Sequence, residues 1–156
     1  MSFFLVVGFY GVTLWLIARY RHKLARLFLK LPFRVTGAAF IAAVFFSIIE
    51  EGVLNLAGGT LVVLIVTVPV LAIFVFVAGK LGQLFHAKSI RYPFIGLLAA
   101  GLLFEAFLGG HSEGFQHPDS LGTLVFGIVL TFVTYAYVSL VSLTIAIEGE
   151  NLKIRE

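Results

Sequence analysis

Apolar residues fall in long unbroken runs, and polar residues gather between them. The runs cover residues 2–18, 35–56, 60–79, 92–108 and 121–147. None shows the every-second-residue alternation of a half-buried strand, so the pattern predicts helices. A bilayer core of about 30 Å needs roughly 20 helical residues, with about 17–25 tolerated. Inside lipid each backbone amide must be paired within its own segment, which a helix achieves. The expected fold is therefore an all-α integral membrane protein with five transmembrane helices. The fourth is short, with Pro93 in its first turn, where a missing N–H does no harm. The fifth exceeds the bilayer and must tilt or project.

The connections carry the direction. Arg19, Arg21, Lys23, Arg26, Lys30 and Arg34 lie between the first two runs. Lys80, Lys88 and Arg91 lie between the third and fourth, and Lys153 and Arg155 follow the fifth. Threading five spans puts all 11 basic residues on one side, which the positive-inside rule makes cytoplasmic. The N-terminus is then outside and the C-terminus cytoplasmic. Residues 57–59 and 109–120, on the other side, contain no Lys or Arg. The first run has no basic region before it and no small-residue cleavage site after it, so it reads as an uncleaved span rather than a signal peptide. Within 19–34, Leu24, Leu27, Phe28 and Leu31 recur at helical spacing among the bases. That pattern predicts an amphipathic interfacial segment on the inner membrane surface.

Composition agrees. A chain of 156 residues that is 60% hydrophobic and 12% charged cannot hide its apolar surface in a soluble core. One polytopic domain over 1–156, in a cytoplasmic-type membrane, uses up the length and leaves no room for a soluble catalytic domain. The absence of cysteine excludes disulfides, thiolate catalysis, Cys-ligated zinc and iron–sulfur clusters. No nucleic-acid partner is expected, because the basic segment lacks stacking aromatics and a soluble scaffold. The expected partners are the lipid bilayer and other membrane subunits or further copies of the chain. Ala38 with Ala42, Ala39 with Ala43, and Gly96 with Ala100 are spaced for close helix contact.

Candidate chemistry lies toward the outer side. Glu50, Glu51 and Glu105 fall inside predicted spans, where ionisable groups cost roughly 2.5–3.5 kcal/mol and usually face protein or water. At 1.5 Å per residue, Glu50 lies about 24 Å from Arg34 and Glu105 about 21 Å from Arg91, so both reach the outer half of the bilayer. Ser47, Glu51, Asn55 and Gly58 share one helix face. Glu50 points about 100° away from Glu51. Glu51 is therefore expected to face the interior, with Glu50 meeting a second neighbour or the interface. Thr131, Tyr135, Ser139 and Ser142 form a matching stripe on the fifth helix. The outer loop adds His111, Glu113, His117 and Asp119, an imidazole–carboxylate set suited to a divalent transition metal. Haem is not expected, because no span contains a histidine. His22 reads as an interfacial spectator and His86 as cytoplasmic.

Two short resemblances arise. Glu50-Glu51 with Asn55 resembles the EExxxR element of CAAX-type intramembrane glutamate proteases, but Asn55 stands where that element has Arg. His86 also threads to the opposite membrane face, and one water-activating site cannot be built across a bilayer. Pro93-Phe94-Ile95, Gly110-His111 and Gly114-Phe115-Gln116 resemble a GH…GGGFQ loop of the B subunit of Mrp-type sodium/proton antiporters. Its triple glycine is missing here and the spacing differs. Neither resemblance assigns a family.

The functional expectation is a subunit of a membrane complex that handles protons or metal cations. Glu51 and Glu105 would carry the ion, Glu50 would tune them, Asn55 shares the stripe, and the His-bearing loop would collect cations. The alternatives are a membrane-embedded metal-dependent enzyme with its site at the extracytoplasmic face, and a structural accessory subunit without chemistry of its own.

Overall fold

A computed structural model describes the backbone of residues 3–56, 61–107 and 120–153. Some side chains within the helices, Glu51 and Asn55 among them, lie outside the described set. The described residues form five helices and no strand: α1 (Phe3–Leu29), α2 (Val35–Leu56), α3 (Leu61–Leu84), α4 (Arg91–Phe107) and α5 (Leu121–Lys153). The apolar runs locate all five. Two, over Thr67–Leu84 and Leu121–Leu152, are long and apolar enough to cross a membrane.

Among the described residues, α5 is the one helix that packs against all four others. Its run from residue 135 to 145 is buried without interruption, as a helix enclosed on all sides must be. Its neighbours approach through small residues. On α2, Ala38, Ala39, Ala42 and Ala43 are all buried, and Ser142 on α5 donates a 2.6 Å hydrogen bond to the Ala39 carbonyl. At the other end of this seam, a Cβ on Gly149 would stand 2.8 Å from Val35. On α3, a Cβ on Gly79 would stand 3.0 Å from Ala146, and one on Gly82 would stand 2.6 Å from Ile147.

Other large apolar side chains point outward. Ile65 is 64% exposed and Leu103 60%, and Trp15, Phe45 and Val77 also lie on the surface. Small residues where α2 and α3 meet α5, within a core that also holds Leu, Val, Ile and Tyr, fit helices that pack by close backbone approach.

Two expectations need correction. The boundary after Ala18 is absent, because α1 continues unbroken to Leu29. The basic residues of 19–29 are good helix formers and give the helix no reason to stop. Tyr10 reaches Glu50 while Phe28 packs on Phe45 and Phe46. Leu29, at the end of α1, and Val35, at the start of α2, both pack on Gly149 of α5, so the continued helix stays against the bundle. Of the expected apolar stripe, Leu24 and Phe28 turn toward the core, whereas Leu27 and Leu31 stay exposed. The second correction concerns Gly96 and Ala100, which are exposed. The close approach on α4 occurs instead at Gly101, which faces Tyr135.

The α3–α4 hairpin closes as a Schellman turn. The Ala87 amide donates to the Gly82 carbonyl, and the His86 amide to the Gln83 carbonyl. That places His86 in the left-handed region at φ 50°, where glycine is the usual occupant. A non-glycine residue loses roughly 1–2 kcal/mol there. His86→Gly is expected to stabilise the fold by about 1 kcal/mol, less whatever flexibility glycine adds to the unfolded chain. Thermal unfolding in detergent checks this; a lowered midpoint would show that the imidazole itself holds the turn.

Candidate functional site

The seam between α2 and α5 carries the polar interior. On α2, Ala39, Ala43, Ser47 and Glu50 succeed one another at steps of four, four and three, so they share a face. All four are buried, and Ser47 and Glu50 are fully enclosed. Glu50 is met from α1 by Tyr10, whose hydroxyl lies 3.4 Å from both the Glu50 carbonyl and its Oε1. Tyr137 of α5 closes the other flank, with its ring edge-on to Tyr10 at 5.9 Å and to Phe46 at 5.8 Å.

Glu105 sits on α4, half-buried, and the Tyr135 hydroxyl points at its Oε1 from 3.5 Å. Tyr135 lies within electrostatic range of Glu50 as well. Its position depends on Gly101, because a Cβ there would meet the ring at 2.6 Å; Phe74 of α3 packs on the same ring at 6.4 Å. The Tyr10 and Tyr135 contacts exceed the ~2.7–2.8 Å of a tight O–H···O bond. Each hydroxyl faces its carboxylate without being locked to it.

The polar line continues along α5. Thr131, Tyr135, Ser139 and Ser142 are all buried and extend over roughly 16 Å of helix. The hydroxyls of Ser47 and Ser139 are enclosed and find no hydrogen-bond partner among the described residues. Most buried hydroxyls are satisfied, so these two mark places where the interior is polar beyond what packing requires. Toward the C-terminal end of α5, Ser142, Gln83, Lys80 and Thr36 line a cavity of about 10 Å³, about the space of one water. There Gln83 donates to the Ala146 carbonyl at 2.6 Å, and Lys80 donates to the Thr36 hydroxyl at 3.3 Å.

The expected site residues divide clearly. Glu50 and the stripe Thr131, Tyr135, Ser139 and Ser142 are buried inside the bundle, and Glu105 is half-buried with the Tyr135 hydroxyl 3.5 Å away. Between the adjacent glutamates, Glu50 is the one seen to be enclosed; the side chains of Glu51 and Asn55 lie outside the described residues, as do His111, Glu113, His117 and Asp119. Among the described residues no group of three His, Asp or Glu is close enough to hold a metal ion. Sequence reasoning missed Tyr10 and Tyr137. It also missed the pairing of His22, expected as a spectator, whose Nδ1 lies 3.4 Å from Glu148 Oε2 and ties α1 to α5. The polar face of α2 was traceable from Ala39, Ala43 and Ser47, which lead to Glu50 as readily as to Glu51.

Comparison with protein-family models, curated proteins and solved structures finds no match.

Gly101→Ala is expected to push the Tyr135 ring from its place and to cost about 1–3 kcal/mol, the usual range for overpacking. Gly96→Ala, whose Cβ meets nothing within 4 Å, serves as the control and should stabilise by up to about 1 kcal/mol, the helix-propensity gain of Ala over Gly. Unfolding of both variants in detergent decides it; equal effects would mean that Gly101 does not set the ring's position.

Proposed function

We propose that the chain is a five-span membrane protein, N-terminus outside and C-terminus cytoplasmic, acting as a small subunit of a proton- or cation-handling complex. The observation that carries this reading is the Glu50 carboxyl, 0% exposed among α1, α2 and α5. An ionisable group so enclosed is costly, and in a membrane protein such groups mark ion pathways more often than packing. Glu105, Tyr135 and Glu50 form the outer exchange site. Below them, Ser47, Ser139, Ser142 and the Gln83–Lys80–Thr36 cluster supply polar stepping points toward the cytoplasm.

Surface chemistry supports the membrane placement. Exposed branched and aromatic side chains surround the bundle, more than a monomer in water usually presents in one belt. At the level assigned to the inner boundary, the Arg19 guanidinium lies 5.6 Å from the Trp15 ring, and Lys23 lies 5.4 Å from that of Tyr20. Aromatic residues and bases gather in this way at membrane–water interfaces. The five-span count rests on all 11 basic residues falling on one side. The small bundle and its apolar exterior favour assembly with further copies or other subunits.

The protein reconstituted in liposomes, with its partner subunits where these are identified, should carry protons or cations down an imposed gradient. Glu50→Gln keeps the side-chain shape and should lower the flux about a hundredfold, the scale of losing one positioned proton-transfer group. Ala99→Ser, at an exposed α4 position, should leave it unchanged. Full flux in Glu50→Gln would leave a structural accessory role in its place.

A further inference from the structure

On the far side of the bundle from Glu50's neighbour α1, an apolar groove of about 520 Å³ runs between α3 and α4. Its size falls within the roughly 300–1,000 Å³ of ligand clefts. It begins at Phe85, Ala87 and Tyr92, beside the helix hairpin, and ends at Ile73 and Ala100. Ile73 and Phe85 are separated by about 18 Å along α3, close to one leaflet, half of the roughly 30 Å hydrocarbon core. A partner helix crossing the membrane would need a seam along the whole thickness. A groove that stops midway suits a single acyl chain entering from one side.

Charge at the mouth selects among lipids. Lys88 and Arg91 are exposed and adjoin the lining residues Ala87 and Tyr92 in sequence. No Asp or Glu occurs between Glu51 and Glu105, and Glu105 lies about 21 Å along α4 from Arg91, so the hairpin end offers these bases no carboxylate. Basic clusters between helices at the cytoplasmic face are the usual receptors of anionic headgroups.

We propose that this groove holds one acyl chain of an anionic phospholipid of the cytoplasmic leaflet, with its phosphate held by Lys88 and Arg91. The inference rests on the membrane placement above and is independent of the proton pathway. Native mass spectrometry of the detergent-solubilised protein, offered phosphatidylglycerol or phosphatidylcholine, tests it. Wild type should retain one phosphatidylglycerol in preference to phosphatidylcholine by roughly 30-fold, the weight of two basic residues against an anionic headgroup. Lys88→Gln with Arg91→Gln should remove the preference. Gly96→Leu, which projects into the groove from a backbone position with open space, should abolish retention of either lipid while the thermal midpoint holds. Equal retention of the two lipids by wild type, or unchanged retention in Gly96→Leu, overturns the proposal. Because the chain lacks cysteine, Ser89→Cys separates the two layers of the argument. Labelling by an impermeant maleimide from the outer side would overturn placement and lipid site together. Labelling from the cytoplasmic side without lipid preference would overturn the lipid site alone.

Discussion

A carboxyl group enclosed by apolar helices stays there only if its neighbours supply the polarity that water no longer provides. Glu50 imposes that demand on three helices at once. Tyr10 brings a hydroxyl from α1, Ser47 lies one turn below on α2, and Tyr137 walls the site from α5. The close seam between α2 and α5 is what encloses it. Alanines on one side, with the Ser142–Ala39 hydrogen bond between the helices, let the two backbones approach near enough to shut the carboxyl in. Larger residues at Ala39 and Ala43 would part the helices and open Glu50 to its surroundings.

The helices were legible because unbroken apolar runs leave few alternatives. Their ends were less so. The basic residues from Arg19 onward mark where polarity begins, not where helical structure stops, and Arg and Lys are both good helix formers. Small-residue spacing was ambiguous for a different reason. Ala39 with Ala43 and Gly96 with Ala100 have the same separation, yet the first pair is buried against α5 and the second lines an open groove. Spacing reports a face that permits close approach; which face meets a neighbour depends on tertiary packing.

The polar interior was half-visible. Glu105, Tyr135 and the α5 hydroxyls stand out as polar residues in apolar runs. Choosing between Glu50 and Glu51 was beyond the sequence, because the positions three and four beyond Ser47 flank its face on either side, about 60° and 40° away. Tyr10 gave no local signal, since a lone tyrosine near the start of an apolar run reads as an interface anchor. Its role arises only when α1 packs beside α2 at Glu50, forty residues away in the chain. The His22–Glu148 contact likewise joins the two ends of the sequence.

We propose that Glu50 and Glu105 act as a single exchange site, rather than as two separate acids in one bundle. A double-mutant cycle on ion flux in liposomes addresses this most directly. Groups that act as a unit are strongly non-additive: losing one costs nearly as much as losing both. The flux of Glu50→Gln, of Glu105→Gln and of the double variant should therefore fall to about the same residual level. Losses that multiply as independent effects, or a double variant that still conducts like wild type, would contradict the account.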